Sequence, residues 1–570
     1  MSATKAEYHN LSTFTSDSLN YARSFDIFSL LSPTRFIIFM FDFFYIALQR
    51  LIIWTFKPRP PKYADQPTKP RGRIAVIGAG LTGVSSAAHA IAHGFDVVIY
   101  EKDDRVGGIW AHVNSTSGLQ LNSLLYRFHP GVLWSCAFPL RDEILGEITR
   151  IWKEYKLDGR TRFNTPVTSV KPVTQDENGN PVAPEDDFDP SKQGHRRWIV
   201  NDGKDGIFDA VIVTVGTCGK PRMVKFEGMP SSDEQQSENQ NKEHSGLKRE
   251  KSHGGDDDTA SVTEGPIIHS SQLDSLDEKT VKGKTVVVIG SGASGVEAVE
   301  TALSKGAKNT VILAREDKWI IPRNIIVDTL IAAQPFGRQM PLSFIWEKIV
   351  TWWNYRGIED LTPAHLGLFE GTPVVNDEFL QHVRNGKCKY IRGDIERLTK
   401  KGVKVNARTR ESKPGDKGEI QEIDADVIVL ATGYEKPNVD FIEADLFPEG
   451  YERPNLYLQN FSTEDWSVLM TNSAYQNAIG TVGHFHIGIY TRILLTLLMD
   501  KDARPSPKDM KLWVDVLRFV KRGARGGALG FFTYMELTIW LLLFHILRPD
   551  RIRWVFFIMQ GWGVYPDEYR

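Results

Sequence analysis

The sequence predicts an α/β protein built from two Rossmann-like dinucleotide-binding units, with hydrophobic segments at both ends. Two observations carry the first part: strand, glycine-rich turn, helix and second strand follow one another at 73–101 and again at 284–315. The third is the placement of apolar residues, which make up 41% of the 570 residues yet concentrate at 36–56 and 529–547. Charged residues, at 25%, are ordinary, and 69 basic against 71 acidic side chains leave no positive surplus for a nucleic-acid backbone. Cys136, Cys218 and Cys388 are far apart and form no CxxC pair. Neither a disulfide framework nor a dithiol centre is expected, and a reducing compartment fits.

Residues 1–71 read as a tail carrying a hydrophobic anchor at 36–56, long enough to cross a bilayer. Arg35, Asp42 and Gln49 recur every seven residues, so a polar stripe runs along this greasy helix. A central Asp costs about 2.5 to 3.5 kcal/mol on insertion, which leaves a transmembrane helix and one lying in the interface both open. Only Arg35 directly precedes the run, so a retained anchor is expected rather than a cleaved signal. Lys57, Arg59, Lys62, Lys69, Arg71 and Arg73 follow it, which places the body on the cytoplasmic side.

The first nucleotide unit, 72–225, has the strand 73–77, the turn Gly78-Ala79-Gly80-Leu81-Thr82-Gly83, a helix, and the strand 96–100 ending at Glu101. Gly78 makes the tight turn, Gly80 lets backbone approach a pyrophosphate, and Gly83 lets helix and strand pack closely. Phosphates would face the helix N-terminus. Glu101, 18 residues after Gly83, can accept hydrogen bonds from ribose hydroxyls and repels a 2′-phosphate, so this site suits FAD or NAD(H). The polar stretch 229–264 follows; its 231–260 portion holds one Leu and no aromatic residue, too little to offset ordering entropy, and is expected to be a disordered loop.

The second unit, 265–425, repeats the plan with Gly290, Gly292, Ser294 and Gly295 in its turn, but its second strand ends at Arg315. A guanidinium there suits the 2′-phosphate of NADP(H). Two different nucleotides, and an NADPH-to-flavin oxidoreductase, follow. An aromatic insertion at 325–369 includes Phe336, Phe344, Trp346, Trp352 and Trp353; packing as an extra helix pair is favoured slightly over an entry lid. The segment 426–504 is assigned to the flavin unit as its second part. The remainder, 505–570, reads as a membrane-associating region: 529–547 is apolar and basic on both flanks, and the apolar run 554–559 follows.

After Glu101 come Lys102, a short spacer, and Gly107-Gly108-Ile109-Trp110. That string resembles the FAD signature of flavin-containing monooxygenases and the related Baeyer-Villiger enzymes. Leu121-Asn122-Ser123, the strand leading to Gly216, Gly265-Pro-Ile-Ile-His269-Ser270 and Val427-Ile-Val-Leu-Ala-Thr432-Gly433-Tyr434 agree in order over 72–500. The resemblance implies that FAD is held by the first turn with Glu101, Lys102, Gly108, Ile109, Trp110, Asn122, Ser123, Thr432 and Gly433. It implies that NADPH lies on the second turn and Arg315, and that Gly265, His269 and Ser270 are hinge residues. In the family fingerprint a Phe precedes this glycine and an aromatic, Trp in the Baeyer-Villiger group, closes the motif; Thr263 and Leu273 stand there instead.

The resemblance further implies that NADPH reduces FAD, that oxygen adds at flavin C4a to form a hydroperoxyflavin, and that the Asn122 amide donates to the developing oxygen anion. It places 477–483 near the isoalloxazine. The substrate is then a soft nitrogen or sulfur centre of a lipophilic molecule, as for a dimethylaniline monooxygenase. Alternatives are Baeyer-Villiger oxidation of a ketone and a catalytically silent membrane flavoprotein. The expected setting is a membrane, the endoplasmic reticulum in a eukaryote. His484 and His486 would share a face in a strand, but no cysteine or carboxylate cluster accompanies them, and no metal is expected.

Overall fold

The computed structural model describes residues 33–124, 126–173, 196–229, 265–324, 327, 339, 341–474, 484–523 and 534–569. Residues 230–264, 475–483 and much of 325–340 lie outside that set, and with them the expected disordered loop, the expected flavin-facing stretch, and Phe336.

The first unit is a five-stranded parallel sheet in the order Val468–Leu469, Ala210–Val213, Arg73–Ile77, Asp96–Tyr100, Thr161–Arg162. Strands covered on both faces need continuous apolar runs, and Ile74, Ala75, Val76, Val211 and Ile212 are fully buried. From Arg73–Ile77 the chain moves to Asp96–Tyr100 on one side and later to Ala210–Val213 on the other. The order therefore reverses beside Gly78, where a parallel sheet opens a crevice at its carboxyl edge.

The second unit is a seven-stranded sheet: Glu419–Asp424, Gly402–Ala407, Cys388–Leu398, Asn309–Ala314, Thr285–Ile289, Val427–Leu430, Ile267–His269. The first three form an antiparallel meander and the rest run parallel. Thr285–Ile289 sits between Asn309–Ala314 and Val427–Leu430, which repeats the reversal seen in the first unit. This corrects one expected boundary. The strand Val427–Leu430 pairs with Thr285–Ile289 and belongs to the second sheet, so the return to the first unit begins after it rather than at 426.

The ends also depart from expectation. Among the described residues no helix is long and apolar enough to cross a membrane, so the expected transmembrane helix at 36–56 is not found. A helix does form, Pro33–Phe56, and it packs on the first unit through Gln49, which is fully buried. The C-terminal helix Tyr534–Ile546 puts Trp540, Leu541 and Phe544 into the core that holds Ile74 and Val76. Arg492, buried in the helix His484–Met499, donates to the carbonyls of Ile558 (2.7 Å) and Met559 (3.0 Å) and so ties down the last helix, Val555–Gln560. Much of the apolar surface of 505–570 thus serves the first unit's core. Within the insertion, the helix Ser343–Asn354 buries Val350 while Trp352 stays three-quarters exposed.

Candidate functional site

Both glycine turns have the same mechanical anatomy. A Cβ on Gly83 would lie 1.8 Å from the Gly78 carbonyl oxygen, and one on Gly295 would lie 2.0 Å from that of Gly290. Gly78 (φ +105°) abuts Thr214, and Gly290 (φ +116°) abuts Ala431. These four glycines are demanded by the fold itself. Gly80 and Gly292 differ: a Cβ on Gly80 meets nothing closer than 3.6 Å, and one on Gly292 nothing within 4 Å. Each is the N-cap of its helix, Leu81–Ala92 or Ala293–Ser304, and has no side chain with which to satisfy the first-turn N–H groups. Open space in front of uncapped N–H groups is what an incoming pyrophosphate requires.

The first cradle is closed by the GGxW loop. Gly107 N–H donates to the Ala79 carbonyl (3.0 Å), and Gly108 lies against Gly80. Glu101, largely buried, accepts from Ala79 N–H (2.6 Å) through one oxygen and from Asp103 N–H (3.0 Å) through the other. Burial raises its pKa, and the two backbone donors oppose that. Thr82 accepts from the Asn472 amide (2.8 Å), which links the turn to the returning chain; Leu81 is buried. Ile109 and Trp110 lie in the short helix Gly108–Ala111, and Trp110 meets Tyr126 edge to face at 6.4 Å. Lys102 is exposed.

Asn122 is fully buried, and its carbonyl accepts from Tyr126 N–H (2.9 Å), which connects it to the Trp110 side of the cradle. Ser123 donates to the Cys136 carbonyl (2.9 Å) and is hydrogen-bonded to Tyr45 of the N-terminal helix. Contact between that helix and the Asn122–Ser123 segment was not anticipated. The signal for it was the polar stripe along 35–49, whose Gln49 donates to Trp134 O and accepts from Trp134 N–H, both at 2.9 Å.

At the second cradle Arg315 is mostly exposed, with its Nε 3.7 Å from Asp394. Arg408 is buried beside it, pairs ionically with Asp394 at 2.9 Å and donates to the Arg315 carbonyl (2.6 Å). Ser294 and Gly295 lie in the first turn of Ala293–Ser304. Thr432 and Gly433, expected to hold the flavin, follow the second sheet's strand Val427–Leu430. They lie on an antiparallel ribbon formed by the two segments that cross between units: Gly219 N–H donates to Glu435 O, Glu435 N–H to Lys220 O, and Arg222 N–H to Gly433 O.

His269 sits on this ribbon. Its Nδ1 accepts from Ser271 N–H (3.1 Å), which assigns the ring proton to Nε2, donating to Gly433 O (3.1 Å). Its ring meets Tyr434 edge to face, and burial lowers its pKa. Gly265 packs on Asp426, where a Cβ would come within 2.2 Å of the carbonyl oxygen. Ser270 O accepts from the Asn114 amide (2.7 Å). Asn114 begins a polar latch that composition did not mark: Ser115 Oγ donates to Asp274 (2.7 Å), and Thr116 and Ser117 both donate to Glu297 (2.7 Å). The loop that closes the first cradle therefore also holds the second unit's helix.

His486 is buried in a helix, so the strand spacing considered for it does not arise. Among the described residues no group of three or more His, Cys, Asp or Glu could hold a metal.

The chain matches the family model of NAD(P)-binding Rossmann-like domains over 76–137 and that of pyridine nucleotide-disulphide oxidoreductases over 284–455. It is 24% identical to flavin-containing monooxygenase 5 of Homo sapiens over 67% of this chain and 68% of that one. It is 24% identical to a Baeyer-Villiger monooxygenase of Pseudomonas aeruginosa over 46% of this chain and 41% of that one. Across such relatives the match spans 37 to 72% of their length. Its fold is like that of OTEMO solved with FAD and NADP: TM-score 0.53, 18% identity, covering 79% of this chain and 91% of that one.

Proposed function

We propose, from the similarity of this chain to flavin-containing and Baeyer-Villiger monooxygenases, an NADPH- and O2-dependent flavoprotein monooxygenase. Its substrate is a soft nitrogen or sulfur centre of a lipophilic small molecule. The observation that carries the reading is the asymmetry of two otherwise matched cradles: a buried carboxylate closes one, an exposed guanidinium the other.

FAD fits the first cradle, with its pyrophosphate over Gly80 and a ribose on Glu101. NADPH fits the second, with its pyrophosphate over Gly292 and its 2′-phosphate on Arg315. The bound flavin supplies hydride acceptance and oxygen activation. The chain supplies placement. The crossing ribbon and the latch hold the two cradles in one orientation, Trp110 and Tyr126 exclude water at one edge, and the buried Asn122 amide is the donor for a developing oxygen anion. The ketone reading is disfavoured by Leu273, buried in the second core where the Baeyer-Villiger pattern has Trp. Assaying a sulfide and a cyclic ketone in parallel tests this: sulfoxide without lactone is expected, and lactone alone would overturn it.

Two substitutions probe the assignment. Asn122→Asp places a carboxylate where a donor is required, so NADPH oxidation is expected to continue with product per NADPH falling about tenfold or more. Full coupling would remove Asn122 from this role. Arg315→Ala removes a charge-assisted bond of roughly 1.5 to 3 kcal/mol, so the NADPH-over-NADH ratio in kcat/KM is expected to fall about 10- to 100-fold. Asp394→Asn frees the guanidinium from its carboxylate and is expected to move the same ratio the other way. Unchanged ratios in both would relocate the 2′-phosphate.

A further inference from the structure

The loop from Gly107 to Ser117 is attached to both cradles at once. At one end Gly107 N–H donates to the Ala79 carbonyl (3.0 Å), and a Cβ on Gly108 would stand 3.0 Å from the Gly80 Cα, so the loop lies against the cap of the first cradle. At the other end it is hydrogen-bonded to the second unit. Ser115 N–H donates to both carboxylate oxygens of Asp274 (3.1 and 2.9 Å), and its hydroxyl donates to one of them (2.7 Å). The buried Asn114 donates to the Ser270 carbonyl and accepts from Asp274 N–H (3.3 Å). Thr116 and Ser117 donate to the same oxygen of Glu297, each at 2.7 Å.

Glu297 lies four residues, about 6 Å, beyond Ala293, the first residue of the helix whose N-terminus forms the second cradle. Burial raises the pKa of this half-buried carboxyl, and the two hydroxyls oppose that rise. Released from those donors, its charge stands unsatisfied beside the helix end where a phosphate binds, and like charges there repel. We infer that the latch couples the two cradles: FAD on the first and a 2′-phosphorylated adenine nucleotide on the second each hold it closed, and each tightens the other, with Thr116, Ser117 and Glu297 as positioning residues. The inference rests on the assignment of FAD and NADPH to the two cradles, and needs no oxygen chemistry. FAD favours the closed latch because a pyrophosphate over Gly80 meets Gly107 and Gly108 seated there, which fixes where the run from Asn114 begins. The second nucleotide favours it because the latched Glu297 already has two donors. One element that both ligands bias through a contiguous network gives reciprocal coupling, commonly about 5- to 150-fold.

The test uses 2′,5′-ADP, which brings a phosphate to Arg315 and carries no nicotinamide to touch a flavin. The FAD-loaded full chain is diluted with and without saturating 2′,5′-ADP, FAD release is read from its regained fluorescence, and 2′,5′-ADP affinity is read by calorimetry. In the parent, 2′,5′-ADP is expected to lower the Kd for FAD about fivefold or more. Thr116→Val with Ser117→Ala leaves the Glu297 charge without its donors, so that protection is expected to vanish and 2′,5′-ADP to bind about fivefold or more weakly. Glu297→Gln removes the charge and keeps an acceptor, so protection is expected to be lost with no weakening of 2′,5′-ADP. Thr116→Ser, which keeps the hydroxyl, is expected to retain both. Equal FAD affinity with and without 2′,5′-ADP in the parent overturns the inference, as does protection that persists in the Thr116→Val, Ser117→Ala variant. A chain that binds neither FAD nor 2′,5′-ADP defeats the cofactor assignment and the inference with it, a result distinct from uncoupled binding, which defeats the latch alone.

Discussion

Alanine at Gly83 is expected to give a destabilised chain without flavin, whereas alanine at Gly80 is expected to fold and lose only the nucleotide. The first Cβ would stand 1.8 Å from a backbone carbonyl and 2.8 Å from Thr214 Oγ1, so the helix must move off the strand. Overpacking of this kind costs about 3 kcal/mol, several degrees of melting temperature in a chain of this size. The second Cβ has no neighbour closer than 3.6 Å and occupies the space left for phosphate. Flavin content and melting temperature of the two purified variants separate the roles. Gly292→Ala should in turn keep flavin and raise KM for the pyridine nucleotide. Equal melting temperatures for the Gly83 and Gly80 variants would show that the close contact can be relieved.

The second large effect is acid lability. His89, His93 and His129 are fully buried where the first unit meets the C-terminal helices, and burial is the main cause that lowers all three pKa values, His93 to about 3. Arg492, whose own pKa burial lowers to about 9, lies 3.1 Å from His89 and adds a like-charge penalty. The sign follows from which state binds protons. The unfolded chain protonates these rings near pH 6.5 and the folded chain only well below it, so the stability they confer is complete above pH 6.5 and is lost as pH falls. Three groups give up to about 4 kcal/mol per pH unit. Melting temperature is expected to drop steeply from pH 6.5 to pH 5, with a slope about one-third shallower in His129→Asn. A flat profile would contradict the burial of these rings.

What could be read from the sequence was what is local. The two turns, Glu101 and Arg315 lie within about thirty residues of their own first strand, and the strand-turn-helix pattern dictates their geometry without help from the rest of the chain. The strand Val427–Leu430 went to the wrong unit because an apolar run carries no record of its neighbours; only its pairing with Thr285–Ile289 assigns it. The latch was invisible because Ser115 and Asp274 are 159 residues apart, and the polar run from Asn114 to Ser117 reads as any surface loop. At the N-terminal helix the polar stripe was legible, but read as a cost of insertion. Gln49 is in fact the docking contact, and Tyr45 carries the helix to Ser123, beside the candidate catalytic Asn122. The C-terminal helices read as greasy throughout, and burial divides them: Trp540 and Phe544 serve the core while Leu542 and Leu547 face outward.

The most direct test of the two-nucleotide oxygenase is a single anaerobic experiment followed by air. The purified chain is mixed with NADPH or NADH without oxygen, flavin absorbance is followed, and oxygen and a lipophilic sulfide are then admitted. The account predicts bound FAD, bleaching much faster with NADPH than with NADH, and close to one sulfoxide formed per NADPH consumed. A chain that binds no flavin, or whose flavin NADPH does not reduce, would contradict it.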